Sequence, residues 1–282
     1  MAGAGFSCGD EDSILAPVIG ESEVLVRVQA TTVSGGISLA PGTLCTKVTA
    51  CMTVATERSF DCADGVTCET DWNATGAFSV VQDPSAPMSP PNVGQLTYRA
   101  GFTGGSGPGA VSPRAFSFNT LHVSLWMRLS TNFQNHQTGT NKIVHFWING
   151  INRLYLMARG PDLLVAVGLQ QLAAPFANGT GQSGTSVNLL PNIVPSAAFG
   201  RGQWRRVDML LTANSPGSAN GAVVVFLDGV RVLGYSGIMF AGPGGSGRWE
   251  DLSWNPTWGG LGDVVIDEMF TQVDHIVVRG RN

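Results

Sequence analysis

Charge is scarce in this chain: Asp, Glu, Lys and Arg make up only 13% of its 282 residues, about half the usual share. The few cationic residues are scattered and the net charge is −4, so no basic stripe exists to track a phosphate backbone. That argues against a nucleic-acid partner. No run approaches the roughly 18 apolar residues that a membrane-spanning helix needs, and helical periodicity is almost missing. The chain has no cysteine beyond residue 68. It also lacks a G-x-S-x-G elbow, which removes the usual signal for an α/β-type serine hydrolase. What it has instead is glycine, 37 residues of it, with hydrophobic residues at 43%. Gly, Ser, Thr and Asn between short apolar runs suit an extracytoplasmic β protein better than a cytosolic helical enzyme.

The five cysteines all lie early in the chain. Cys45 and Cys51 bracket CTKVTAC, Cys62 and Cys68 bracket CADGVTC, and Cys8 stands apart. Four clustered cysteines predict two disulfides in an oxidising compartment. Four cysteines allow three connectivities; Cys45–Cys51 with Cys62–Cys68 is favoured because it closes short loops. Zinc is disfavoured, since neither pair has a two-residue spacing and no His is near. The opening MAGAGFSCGDEDS has neither a basic region nor a full apolar stretch, so it is not a signal peptide as written. It is similar to the end of a bacterial lipoprotein signal, with small residues leading to Cys8 and polar ones after it. Gly5 departs from the Leu usual three places before such a Cys. The expected organisation is therefore a flexible leader and lipoprotein tether over 1–20, a small disulfide-containing β extension over 21–69, and a main domain over 70–282. The alternative for the leader is a disordered arm with an incidental thiol. Any membrane contact would be through the lipid anchor alone, on a secreted, periplasmic or cell-surface protein.

Strand-like runs dominate from residue 120 onward: LHVSLWMRLS, NKIVHFWIN, NRLYLMAR, DLLVAVGLQ, QWRRVDMLLT, GAVVVFLDG, VRVLGYS, RWEDLSW and DEMFTQVDHIVVRG. Gly, Asn and Pro turns separate them, which predicts an all-β sandwich or jelly roll. PPNVGQLTY, the LWMRL strand, the QWRR…FLDG pair and SWNPTWGGLGD together resemble the concanavalin A-like (laminin-G-like) jelly rolls. The resemblance spans roughly residues 70–280 and implies a concanavalin A-like jelly-roll β-sandwich that handles carbohydrate. Jelly rolls also host purely architectural roles, so fold alone does not set function.

Alternation sorts the faces, because successive strand side chains point to opposite sides. Leu121, Val123, Leu125, Met127 and Leu129 form a core face, leaving His122, Ser124, Trp126 and Arg128 outside. Val144, Phe146 and Ile148 are core, which puts His145, Trp147 and Asn149 outside. By the same rule Arg153, Tyr155 and Arg159 face away from Leu154, Leu156 and Ala158, and Arg206 and Asp208 face away from Val207, Met209 and Leu211. If the four strands are neighbours, these side chains share one concave face of aromatic planes and planar polar groups, as a sugar groove needs. The expected binding residues are His122, Trp126, Trp147, Arg153, Arg206 and Asp208. The competing reading is that loops cover this face. In the last strand Glu268, Gln272 and Asp274 join the polar side, and His275 is expected among core valines. Trp249, Trp254 and Trp258 either rim a cleft or pack a loop.

Three functions stay open. The first is lectin-like recognition of a polysaccharide or surface glycan. The second is a polysaccharide lyase acting by β-elimination on uronate-containing glycans. Such a step needs a positive or amide group for the uronate carboxylate and a Tyr or His for the proton, types that Arg128, Asn149, His145 and Tyr155 provide as the expected catalytic set. NKIVHFWINGINRLYLMARG is loosely similar to the arrangement in alginate lyases, where a His-bearing strand precedes a Tyr-bearing one. The lyase signatures R-x-E-L-R and Q-I-H are not reproduced, because Val144 and Ile143 precede His145. The third is an accessory subunit of a surface assembly, contacting other surface proteins. Glycoside hydrolysis is disfavoured, since Asp267 and Glu268 are adjacent and so point to opposite faces. No cofactor is expected; a weak calcium site at Asp251 or Asp263 is the exception considered.

Overall fold

The computed structural model describes residues 52–61, 72–88, 90–113 and 115–282. Cys8, Cys45, Cys51, Cys62 and Cys68, the leader and most of the 21–69 segment lie outside the described residues. The rest is a jelly-roll β-sandwich of two antiparallel sheets. Among the described residues no helix is long and apolar enough to cross a membrane.

The first sheet contains β1 (Thr53–Arg58), β3 (Phe78–Gln82), β4 (Asn92–Tyr98), β6 (Thr120–Leu129), β12 (Arg205–Thr212), β13 (Gly221–Leu227), β14 (Val230–Ile238) and β16 (Met269–Arg281). Their order is β14-β13-β12-β6-β16-β4-β3, with β1 also paired to β16. The second sheet contains β2 (Trp72–Gly76), β5 (Gly109–Pro113), β7 (Thr140–Ile148), β8 (Ile151–Arg159), β9 (Leu164–Leu169), β10 (Thr180–Ser183), β11 (Ser186–Leu189) and β15 (Asp251–Trp254), in the order β10-β11-β9-β8-β7-β15-β5-β2. β1 comes from the 21–69 segment and extends the main sheet along β16.

The core lies between the sheets and follows the alternation. Leu121, Val123, Leu125, Met127, Val207, Met209 and Leu211 from one sheet meet Val144, Phe146, Ile148, Leu154, Leu156 and Val167 from the other in one buried cluster. Burying so many branched side chains, at about 1.5–3 kcal/mol each, is what holds the layers together. Trp249, Trp254 and Trp258 are fully buried in that cluster, so they pack and do not rim a cleft. The β13–β14 hairpin closes through Asp228 and Gly229, at φ 50° and 78°, the left-handed pair that a two-residue turn demands.

One expectation about β16 is overturned. A bulge between Asp274 and Val277 places His275 in the left-handed region at φ 55°. The extra residue shifts the phase, so His275 leaves the core and contacts the Glu57 carboxylate on β1.

Candidate functional site

Strand pairing divides the expected site in two. β6 and β12 are neighbours in the first sheet, whereas β7 and β8 are neighbours in the second. His122, Trp126, Arg128, Arg206 and Asp208 therefore lie on one outer face of the sandwich, and His145, Trp147 and Tyr155 on the other. The whole core separates them. A single groove built from all four strands is overturned, and Arg128 cannot reach a carboxylate held at His145 and Tyr155. Alternation distinguishes inside from outside, but both sheets have an outside.

The first sheet's outer face is a closed polar network. Arg128 donates through Nε to Gln272 Oε1 at 2.9 Å, and Gln272 donates onward to Gln95 at 2.9 Å. Its Nη2 meets Asp83 Oδ2 at 2.6 Å, while the guanidinium stacks 5.1 Å from the Trp204 ring. Burial pushes the Asp83 carboxyl up, but two hydrogen bonds from Ser85, the Arg128 charge and the Trp204 indole outweigh it and hold the pKa below the aspartate norm. The segment after Asp83 folds over this face, where the Met88 amide donates to the fully buried Asp274 at 2.8 Å. Nearby, Arg206 grips Asp208 with both Nε and Nη2 at 3.0 Å, and His122 Nε2 stands 3.1 Å from the same carboxylate. Burial raises the Asp208 pKa, and His122 with Arg206 more than reverses it. These groups pair with one another, the arrangement of a structural network.

The second sheet's outer face is different. Cross-strand register lines up Asn188, Gly168, Tyr155, His145 and Ser253, and Ser253 hydrogen-bonds to Ser112 at 2.8 Å, which pairs with Asn73. At about 4.8 Å per strand this row crosses seven strands over roughly 29 Å. His145, Tyr155, Ser112 and Asn188 along it are part-exposed, whereas Gly168 and Ser253 are buried. The His145 ring lies 5.9 Å from Trp147 and 5.8 Å from Tyr155.

Lys142 completes the cluster, and strict alternation hides it. Counting back from Val144 puts position 142 in the core, but the β7–β8 register slips between Lys142 and Val144. Ile143 and Val144 are both buried, and the bulge turns Lys142 outward, with Nζ 4.6 Å from the Tyr155 ring centroid. The available signal was Ile143-Val144, two consecutive apolar residues within an alternating strand. Asp251 is a second addition, paired in register with Trp147, its pKa raised by burial.

Not every expected residue joins this face. Asn149 sits in the β7–β8 turn at φ 54°, where its Oδ1 accepts the Ser246 amide. Arg153 is largely buried and donates to the Gln171 carbonyl. Among the described residues no group of three or more His, Cys, Asp or Glu could hold a metal ion. Asp263 accepts the Gln137 and Val264 amides, so its carboxylate is occupied by the loop that it shapes.

The local field sets the protonation states at neutral pH. Burial, then the Lys142 charge, lowers His145 to a pKa of about 4, outweighing its hydrogen bonds to Asn255 and Asn152. Its imidazole is neutral at neutral pH. Burial raises the Tyr155 pKa, so the phenol keeps its proton and can donate it. Burial also lowers the Lys142 pKa.

No family model and no curated protein sequence matches the chain. Solved structures do. An endo-β-1,4-glucuronan lyase from the fungus Trichoderma reesei superposes with a TM-score of 0.58 at 13% identity, covering 82% of this chain and 96% of that one. An alginate lyase from Chlorella virus gives 0.55 at 12% identity, over 81% and 100% of the two chains. An alginate lyase from Aplysia kurodai gives 0.54 at 11%, over 80% and 98%. At these identities the likeness is one of fold.

Proposed function

We propose that this protein binds an acidic polysaccharide along the outer face of the second sheet. The observation that carries the reading is the part-exposed cluster of His145, Trp147, Tyr155 and Lys142 at the middle of a polar row seven strands wide. Trp147 and Tyr155 offer planes for the apolar faces of sugar rings, Lys142 offers one positive charge, and the flanking Ser and Asn residues offer hydroxyl partners. The fold's likeness to glucuronan and alginate lyases supports an acidic polymer as the ligand class. An extracytoplasmic setting, expected from the clustered cysteines and low charge, is where such a polymer is met. Calorimetric titration with alginate, glucuronan and glycosaminoglycan oligosaccharides tests this. Saturable binding to at least one of them is expected, and no binding to any refutes it.

The His145–Tyr155 pair favours a second step, β-elimination. Lys142 would neutralise the uronate carboxylate, which acidifies the proton on the adjacent ring carbon. His145 would remove that proton, and the electron pair would form a carbon–carbon double bond as the bond to the glycosidic oxygen breaks. Tyr155 would protonate the departing oxygen. Products are an unsaturated sugar and a new chain end, with no co-reactant consumed. Ultraviolet absorbance of the conjugated product detects turnover. Binding without that absorbance would leave recognition as the function and remove the lyase step.

A further inference from the structure

Tyr155 does not stand upright on its strand. Its register partner on β9 is Gly168, and a Cβ built there would lie 2.1 Å from Tyr155 Cε2 and Cζ and 2.5 Å from the phenol oxygen. The outer half of the ring thus occupies the volume that any other residue at 168 would fill. Gly168 carries no left-handed backbone that would call for glycine, because its φ lies outside the positive range. The neighbours Val167 and Leu169 are core residues, so position 168 faces the candidate site and not the sandwich interior. On the same face, Lys142 Nζ sits 4.6 Å from the ring centroid. Tyr155 is held between an ammonium and a bare stretch of backbone.

We propose that Gly168 is a positioning residue for the sugar slot: lacking a side chain, it lets Tyr155 lie across β9, which sets the gap to His145 and fixes the seat of Lys142. The slot's use rests on the carbohydrate reading above; the position of the ring does not. A methyl group at 168 must push the ring back to ordinary contact at about 3.5–4.0 Å, a displacement of roughly 1.5 Å. The available room is upward into solvent or sideways toward His145, whose ring centroid is 5.8 Å away. Either movement dismantles the slot without touching the core.

The test is Gly168→Ala, alone and combined with Tyr155→Ala. The chain has three tyrosines, so phenol titration followed by near-ultraviolet absorbance is tractable, with Tyr155→Phe identifying the Tyr155 step. In the wild type this step lies above the ordinary tyrosine range; in Gly168→Ala it moves back down as the ring is lifted from its buried seat. Affinity for an alginate or glucuronan oligosaccharide falls roughly tenfold in Gly168→Ala. The thermal midpoint also falls, and it recovers in the double variant, since removing the Tyr155 ring removes the clash. An unchanged Tyr155 titration in Gly168→Ala overturns the proposal, and so does a stability loss that persists in the double variant. If the wild type binds no acidic glycan, the carbohydrate reading fails together with the slot, while the titration still decides where Gly168 puts the ring.

Discussion

Arg128 holds the structure together and does not face substrate, and Arg128→Met puts that to the test. Its guanidinium makes three polar contacts, to Asp83 at 2.6 Å, Gln272 at 2.9 Å and Ser85 at 3.3 Å, and stacks between Trp204 and Phe270. Methionine keeps part of the stacking volume but removes the charge. Asp83, whose side chain is 9% exposed, then retains only Ser85 and the Trp204 indole as partners. Breaking a buried ion pair typically costs 3–5 kcal/mol; because the Arg128 side chain is 19% exposed, about 2–3 kcal/mol is expected. For a domain of this size that lowers the thermal midpoint by roughly 4–12 °C. The pH dependence has a definite sign. The Asp83 pKa is depressed in the folded state, so its contribution is present above about pH 4 and is lost as pH falls through the folded value. Arg128→Met should therefore lose stability at neutral pH and show a shallower acid limb. Urea denaturation between acid and neutral pH, with glycan titration on the same samples, reads both quantities. A cost under about 0.5 kcal/mol, or loss of glycan binding with stability intact, would refute the structural assignment.

Three further outcomes follow from the geometry. His145, with a pKa of about 4, should show no imidazole titration by NMR between about pH 5.5 and 8. Its lowered pKa means the unfolded chain binds more protons between about pH 4 and 6.5, so stability falls with acid through that window, and His145→Gln flattens the slope. Gly259→Ala should cost about 3 kcal/mol or more in chemical denaturation, because φ is +60° and the new Cβ would lie 1.8 Å from His136 Cγ. Lys142→Met should leave the thermal midpoint within about 2 °C of wild type, since the ammonium is on the outer face and its removal frees no buried carboxylate.

Inside and outside were readable from the sequence because strand period is local. Leu121 to Leu129, Val144 to Ile148 and Leu154 to Ala158 are buried where alternation places them. Which sheet owns a strand is set by long-range pairing, and nothing in the spacing of β6 and β7 shows that β6 pairs with β12 and β16 while β7 pairs with β8 and β15. The His145–Tyr155 pair was legible since β7 and β8 are joined by a short Asn149-Gly150 turn and so must be adjacent. Lys142 was overlooked and His275 misplaced for one shared reason. Each sits at a bulge, and a single extra residue reverses every later parity. The cover over Arg128 comes from the proline-rich segment after Asp83, whose docking depends on Asp274, some 190 residues away.

The central claim is that the second sheet's outer face, and not the first, holds the glycan. Calorimetric titration of an alginate or glucuronan oligosaccharide into Lys142→Met and Arg206→Met, beside the wild type, tests it directly. A roughly tenfold or greater loss of affinity is expected for Lys142→Met, and wild-type affinity for Arg206→Met. Wild-type binding by Lys142→Met together with a loss in Arg206→Met would contradict it and move the site to the opposite face.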